Sequence, residues 1–262
     1  MSEIGDKYAF QQAPPLVLSD GTVLQRIFAL RDIPLHNVKA GDIGGYIEDE
    51  KILKQTDSAW VGGNAKVYGH SRVLKDSLVT GEAELFHSLL TGDVIVSGNA
   101  KLTESSLKGK RIRVKDDVVL TAVGFTGENI LLEGKAELNN IFGRSTIRHF
   151  RVSGNAVLHH KTSMGIEGEN IEISENARII DAASICGNKI FISGEAVLEK
   201  GSDIKGDNVI LQDYGVVTGS VTLRNNVTVT ECANVTASHD DLYPSVSDTV
   251  FNGDVEYDIS PF

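Results

Sequence analysis

An apolar residue returns every six positions at Val61, Val67, Val73, Val79 and Leu85, and four residues after each of the first four stands a small one: Ala65, Ser71, Ser77 and Ala83. The same rule holds near the other end, with Leu211, Val217, Leu223, Val229 and Val235 accompanied by Gly215, Val221, Val227 and Ala233. A period of six does not fit the 3.6-residue turn of an α-helix, but it is a multiple of the two-residue period of a strand. It describes short flat segments, each ended by a turn. Between these stretches a longer unit dominates, in DVIVSGNAKL, ENILLEGKAEL, HFRVSGNAVL, NIEISENARI and KIFISGEAVL. Its small positions Ala65, Ala83, Ala100, Val118, Ala136, Ala156, Ala177, Ala196 and Gly215 are spaced 18, 17, 18, 18, 20, 21, 19 and 19.

Eighteen residues are three hexads, so one coil has three flat sides and departures from eighteen are absorbed as bulges at corners. The expected fold class is all-β: a single-stranded parallel β-helix of hexapeptide repeats with three-sided coils. The three-hexad coil points to a left-handed helix, with a right-handed one as the alternative. Inward and outward residues alternate, as in Phe150, Arg151 and Val152, and the corners repeat Gly-Asn, Gly-Glu, Gly-Asp or Glu-Asn. Gly and Asn tolerate the positive φ of a sharp corner. Helix caps and a helical period are lacking, and the coils are rich in Val and Ile. With strands about 4.8 Å apart, nine to ten coils make a rod on the order of 45 Å long.

Residues 1–60 depart from the hexad. LVLSDGTVLQRIFALRDI reads as two strands joined by a tight turn at Ser19, Asp20 and Gly21. A β-helix has an open end to be covered, so residues 1–60 are expected to form an N-terminal β capping module, with Arg26, Arg31 and Lys39 as a basic exception that could bind a ligand. Residues 61–238 form the β-helix. Residues 239–262, with Pro244, Pro261 and many acids, form an acidic tail expected to fold back over the last coil.

Here the chain resembles a family. The runs ALRDI (Ala29 to Ile33), VKAGDIGGYIEDEKIL (Val38 to Leu53) and AWVGGNAKVYG (Ala59 to Gly69) resemble the YdcK-type proteins of bacteria and phages. In these, a Gly-Asp-x-Gly-Gly stretch and a Trp-Val pair lead into Asn-Ala-x-Val-Tyr-Gly hexads. The resemblance covers about Phe28 to Leu85, with only the repeat pattern beyond, and the coils depart from it where they lengthen after Leu138. It implies a left-handed β-helix related to the hexapeptide acyltransferases. It also implies the properties of that class: one histidine as general base, acetyl-CoA as cofactor, and trimers with the acyl-CoA in a groove between subunits.

Such chemistry needs an imidazole within hydrogen-bond reach of the acceptor. His70, His87, His149, His159 and His160 lie on the coils, and the pair His159–His160, just after the inward Leu158 and beside an insertion, is the catalytic candidate if the chain is an acyltransferase. Nothing specifies cofactor-binding residues. Cys186 and Cys232 lie far apart without metal-ligand spacing and read as core-facing or chemically idle, so no metal site is expected.

A net charge of −11 argues against nucleic acid or an anionic membrane as partner. Most of it sits between Gly201 and Phe262, where ten acids face only Lys205 and Arg224. That acidic end either keeps the rod from stacking or docks a basic protein partner. No run approaches 18 apolar residues and MSEIGDKYAF lacks the regions of a signal peptide, so a cytoplasmic protein is expected. A non-catalytic binding or scaffold protein leads the functional readings, with an acyl-CoA-dependent acyltransferase second and an acidic phage-type decoy for nucleic-acid-binding proteins third. The irregular middle, from Leu138 to Ile192, is the place to look for a site.

Overall fold

A computed structural model describes residues 6–124, 126–141, 147–165, 167–181, 185–200, 204–237 and 244–259, with the side chains of residues 141 and 160–164 outside that description. The chain is an all-β solenoid of about ten turns whose coils stack in parallel. Each coil presents three faces in turn. The first begins at Trp60–Val61 and recurs at Leu78–Val79, Ile95–Val96 and Arg113–Val114. The second begins at Lys66–Tyr68 and runs through ten further strands to Glu256–Asp258. The third begins at Arg72–Lys75 and recurs at Leu89–Gly92 and Ser106–Leu107.

Both hexad series point inward as expected. Val61, Val67, Val73, Val79 and Leu85, and likewise Leu211 through Val235, are fully buried. The small residues between them are buried too, because they sit where the chain bends toward the axis and a larger side chain would strike the stack. One continuous core runs from Tyr8 to Phe251.

Lengthening of the coils is confined to one part of the circuit. From the inward residue of the first face to that of the second the count is always six, as in Val61 to Val67, Leu132 to Leu138, Ile173 to Ile179 and Phe251 to Tyr257. All variation falls between the second face and the return to the first. In the short coils that second corner is closed by buried serines: Ser71 Oγ donates to Tyr68 O at 2.7 Å, Ser88 N donates to Ser71 Oγ at 3.0 Å, and Ser105 N donates to Ser88 Oγ at 3.3 Å. The hydroxyls of Ser71 and Ser88 thus each satisfy an amide of the next coil inside the core, where an unmet donor would cost about 1–3 kcal/mol. The serine column ends at Ser105, and the corners lengthen after Leu138. There the second-face strands Glu137–Ile141 and Val157–Met164 outgrow the usual three residues and pair at Ile141 and Met164 after a register shift.

The first corner repeats a left-handed residue on every coil: Gly63, Gly81, Gly98, Asp116, Gly134, Gly154, Glu175, Gly194, Asp213, Glu231 and Gly253, with φ between 57° and 83°. Left-handed backbone costs a non-glycine residue roughly 1–2 kcal/mol. At the four positions that are not glycine, an acid stands instead, and its carboxylate accepts the N–H of the corner residue one coil on. Asp116 Oδ2 receives Gly134 N at 3.1 Å, Glu175 Oε2 receives Gly194 N at 2.7 Å, Asp213 Oδ2 receives Glu231 N at 3.4 Å and Glu231 Oε2 receives Gly253 N at 2.7 Å. A side-chain hydrogen bond offsets the backbone strain.

The N-terminal residues pair directly onto the first coil. Strands β1 (Tyr8–Phe10), β2 (Leu16–Val17) and β4 (Ile43–Ile47) all run antiparallel to β3 (Val23–Ala29), and β4 then pairs in parallel with Lys66–Tyr68. The turn at Ser19–Gly21 forms as read, with Leu18 N donating to Thr22 O at 2.9 Å and Asp20 Oδ1 accepting from Thr22 N at 2.9 Å. Lys7 is wholly buried: its Nζ meets Asp57 Oδ1 at 3.0 Å and Ala59 O at 2.7 Å, and burial lowers its pKa against the pull of Asp57. At the other end, residues 244–259 carry the strands Ser245–Ser247, Val250–Phe251 and Glu256–Asp258, one on each face, in parallel register with the coil before. Among the described residues no helix is long and apolar enough to cross a membrane.

Two outcomes follow. Glu175→Gly trades the carboxylate bond for an unstrained corner, whereas Glu175→Ala loses the bond and keeps the strain. Urea unfolding is therefore expected to place the Ala variant below the Gly variant by about 1 kcal/mol. His36, at the end of a short 3-10 turn, has a buried Nε2 without a hydrogen-bond partner, and burial holds its pKa below the ordinary 6.5 against the opposing field of Asp76. A histidine kept neutral by the fold contributes stability that is complete above 6.5 and is lost as the pH falls below it, since the unfolded state then binds the proton first. Between pH 8 and pH 5 the wild type is expected to lose more unfolding free energy than His36→Leu.

Candidate functional site

The histidines of the coils do not converge. His70 and His87 stack on one another with ring centroids 5.3 Å apart, at the second corner of two early coils. His149 lies at the third corner, between the third and first faces, its Nδ1 2.9 Å from Asn170 Oδ1. His159 points outward from the second face at the start of the long strand Val157–Met164. His160 follows on that strand, and its side chain lies outside the described residues.

Parallel register decides what His159 meets. The coil below places Asn139 opposite it and Glu137 two residues back. Its Nε2 lies 3.1 Å from Glu137 Oε1, an ion-pair distance without hydrogen-bond alignment, and Asn139 Nδ2 donates to the same carboxylate oxygen at 3.3 Å. The result is an outward carboxylate, amide and imidazole cluster on the second face, on the lengthened strands Glu137–Ile141 and Val157–Met164. A carboxylate that holds one imidazole nitrogen leaves the other free to take a proton, as a general base requires.

The larger concavities lie elsewhere, all along the third corner. One, of about 600 Å³, is floored by Gly168, Gly187 and Gly206 and walled by Glu167, Cys186, Lys205, Asp207 and Arg224. A second, of about 460 Å³, repeats the arrangement on earlier coils with Gly92, Gly109 and Gly127 under Lys75, Lys108 and Lys110. These grooves exist because the floor has no side chains. Gly168, Gly187 and Gly206 bridge in parallel from coil to coil, and a Cβ on Gly187 or Gly206 would strike the carbonyl oxygen of the glycine one coil below. Their spacing of 19 and 19 equals the local coil length, a signal present in the sequence but hidden while attention stays on the apolar columns.

Several expectations need correction or refinement. Arg26, Arg31 and Lys39 are not a free basic surface. Arg26 donates to Gly44 O, the Tyr46 hydroxyl, Gly63 O and Asn64 Oδ1, all within 3.1–3.2 Å, and stacks on the Tyr46 ring, so it staples β3 and β4 to the first coil. Arg31 donates to Gln55 O at 3.3 Å and Lys39 pairs with Asp32 at 2.9 Å. A denser basic run stands instead in KGKRIRVK, Lys108 to Lys115, where Lys110 and Lys115 pair with Glu128 and Glu133 and Arg111 and Arg113 form no ion pair among the described residues. Neither cysteine faces the core: Cys232 is exposed and Cys186 is half-buried in the wall of the large groove. Among the described residues no three His, Cys, Asp or Glu side chains are grouped as metal ligands would be.

No known family matches the chain, and no curated protein is similar to it.

Proposed function

We propose that this is a non-catalytic β-helical binding or scaffold protein that presents a rigid surface to a protein partner, with strands β1 to β4 covering the first coil. The observation that supports this reading is the backbone-floored groove along the third corner. A floor of stacked glycines admits an extended chain close to the coils, and its walls carry both signs of charge in Glu167, Asp207, Lys205 and Arg224. Coils locked to their neighbours by parallel hydrogen bonds hold such a surface without rearrangement, so little ordering cost falls on binding. The exposed acids Asp248, Asp254, Glu256 and Asp258 of the last coil offer a second surface, suited to a basic partner.

A second reading is an acyl-CoA-dependent acyltransferase of the hexapeptide class. It is favoured by the Glu137–His159 contact and by the resemblance of the first coils to the YdcK-type proteins. In that reading His159 is the general base, His160 its neighbour on the strand, and acetyl-CoA the acyl donor between subunits of a trimer.

Native mass spectrometry with and without acetyl-CoA separates the two. The scaffold reading expects an unchanged subunit number and no adduct of the cofactor. Stoichiometric acetyl-CoA, together with an acyl transfer to an amine or hydroxyl acceptor that His159→Ala abolishes, would defeat it.

A further inference from the structure

A smaller recess of about 350 Å³ lies where the third corner meets the first face, beside the glycine-floored grooves. Its walls are set by register. Asn129 N donates to Lys110 O and His149 N to Glu128 O, which stacks Arg111, Asn129 and His149 in one outward column. Lys115 N donates to Leu132 O and Glu133 N to Val152 O, which stacks Arg113, Leu131 and Arg151 in the next. The middle coil therefore carries two uncharged residues, Asn129 and Leu131, over the buried Ile130, while the coils on either side carry Arg111 with Arg113 and His149 with Arg151. Two coil spacings, about 10 Å, separate Arg111 and Arg113 from His149 and Arg151. The notch between them is one coil wide.

The charges differ in how they are held. Arg151 pairs with Glu172 at 2.9 Å and His149 is bound to Asn170. Arg111 and Arg113 are exposed, and among the described residues neither forms an ion pair. The fold does not require them. At the outward position of Arg113 the adjacent coils carry Ile95 and Leu131 and more distant ones Arg151, Glu172 and Phe191, so the stack needs no one residue type there, and at that of Arg111 the next coil carries Asn129. Two adjacent guanidiniums left without counter-charge repel one another, and they stand in a chain of net charge −11. Lys108 and Lys110 extend the positive field into the neighbouring groove, where Lys110 meets Glu128 at 2.8 Å and holds that carboxyl below the usual carboxylate range.

We propose that this recess binds the phosphate-type oxyanion of a small ligand. The planar forks of Arg111 and Arg113 are its principal donors, Arg151 and His149 close the far side, and Ile130 and Leu131 provide an apolar floor for the rest of the molecule. A compact anion fits better than a nucleic acid. The notch is one coil wide, and the exposed carboxylates Asp116 and Asp117 stand at the first corner of the coil that carries Arg111 and Arg113, so a polyphosphate backbone running on along that coil would meet negative charge. This site is separate from the groove on which the scaffold reading rests and from the Glu137–His159 cluster, so its failure and theirs are independent.

The test uses inorganic pyrophosphate as probe, with ³¹P line broadening and calorimetric titration of the full chain at low ionic strength. Saturable binding of one pyrophosphate per chain is expected. The double variant Arg111→Asn/Arg113→Leu, which installs the residues that the next coil carries at the same positions, is expected to fold with unchanged circular dichroism and to bind at least tenfold more weakly. Lys101→Ala, an exposed cation on the second face, is expected to leave binding unchanged. The proposal is overturned if pyrophosphate shows no saturable binding, if the double variant binds as the wild type does, or if Lys101→Ala weakens binding as much. It is equally overturned if a single-stranded oligonucleotide binds more tightly per phosphate than pyrophosphate, which would make the basic segment a polyanion surface.

Discussion

Every coil of this protein depends on its neighbours for its backbone hydrogen bonds. A strand of two or three residues cannot satisfy its own N–H and C=O groups, and in the stack each is met by the same position one coil above or below, as Lys66 N meets Ala83 O and Glu84 N meets Ala100 O. This forces equivalent residues of successive coils into register about 4.8 Å apart, and register then decides everything that a side chain can touch. Like residues stack on like positions. The apolar columns become one core, the left-handed corners become a column, and polar residues form ladders such as Asn155 to Asn176 to Glu195, at 2.9 and 2.7 Å.

The constant six residues between the first and second faces show where that demand is strictest. The segment must contain an inward residue, a left-handed corner, a small residue and a second inward residue, and each of the four meets its counterpart on adjacent coils. An extra residue there would shift the pairing of every later strand. The opposite side of the coil tolerates insertion because in the lengthened coils its backbone is paired at scattered bridges, such as Asn129 with His149 and Gly168 with Gly187, where the short coils carry paired third-face strands. It is also the side that bears runs of positive φ, at Glu128 to Ile130, His149 to Val152, Glu169 to Ile171 and Asn188 to Phe191. The three concavities all lie on this side, where variation does not interrupt the stack. Rigid and variable parts of the solenoid are thus divided by angle around the axis, not by position along it.

That division explains what the sequence reveals. The apolar columns are legible because burial admits few residue types, and the small position is legible because only a small residue fits the inward bend. Lengthening of the coils after Leu138 is visible as spacing, but spacing does not say which corner receives the extra residues. Four of the left-handed corners are acids, and nothing about Asp116 or Glu175 alone distinguishes them from surface carboxylates. Their role depends on the amide one coil on, which enters the reading only once the register is known. The turn at Ser19–Gly21 was legible because its contacts are local. The attachment of Arg26 to Gly63 and Asn64 was not, since those partners lie 37 and 38 residues away.

The same logic bears on function. In a stacked solenoid an outward side chain that the fold does not need can be recognised by comparison with its own column, without reference to any other protein. His159 stands in a column with Thr103, Thr121, Asn139, Ile180 and Glu199, and there an imidazole faces a carboxylate of the preceding coil. Arg113 likewise stands between the aliphatic Ile95 and Leu131 of the adjacent coils. A repeat that returns nearly the same environment at each turn makes its exceptions conspicuous, because the physical reason for the common residue is already known and fails to account for the exception. The carboxylate beside His159 and the unpaired charge of Arg111 and Arg113 are two such exceptions. They lie on different faces of the rod, so a ligand held by the arginines leaves the second face open.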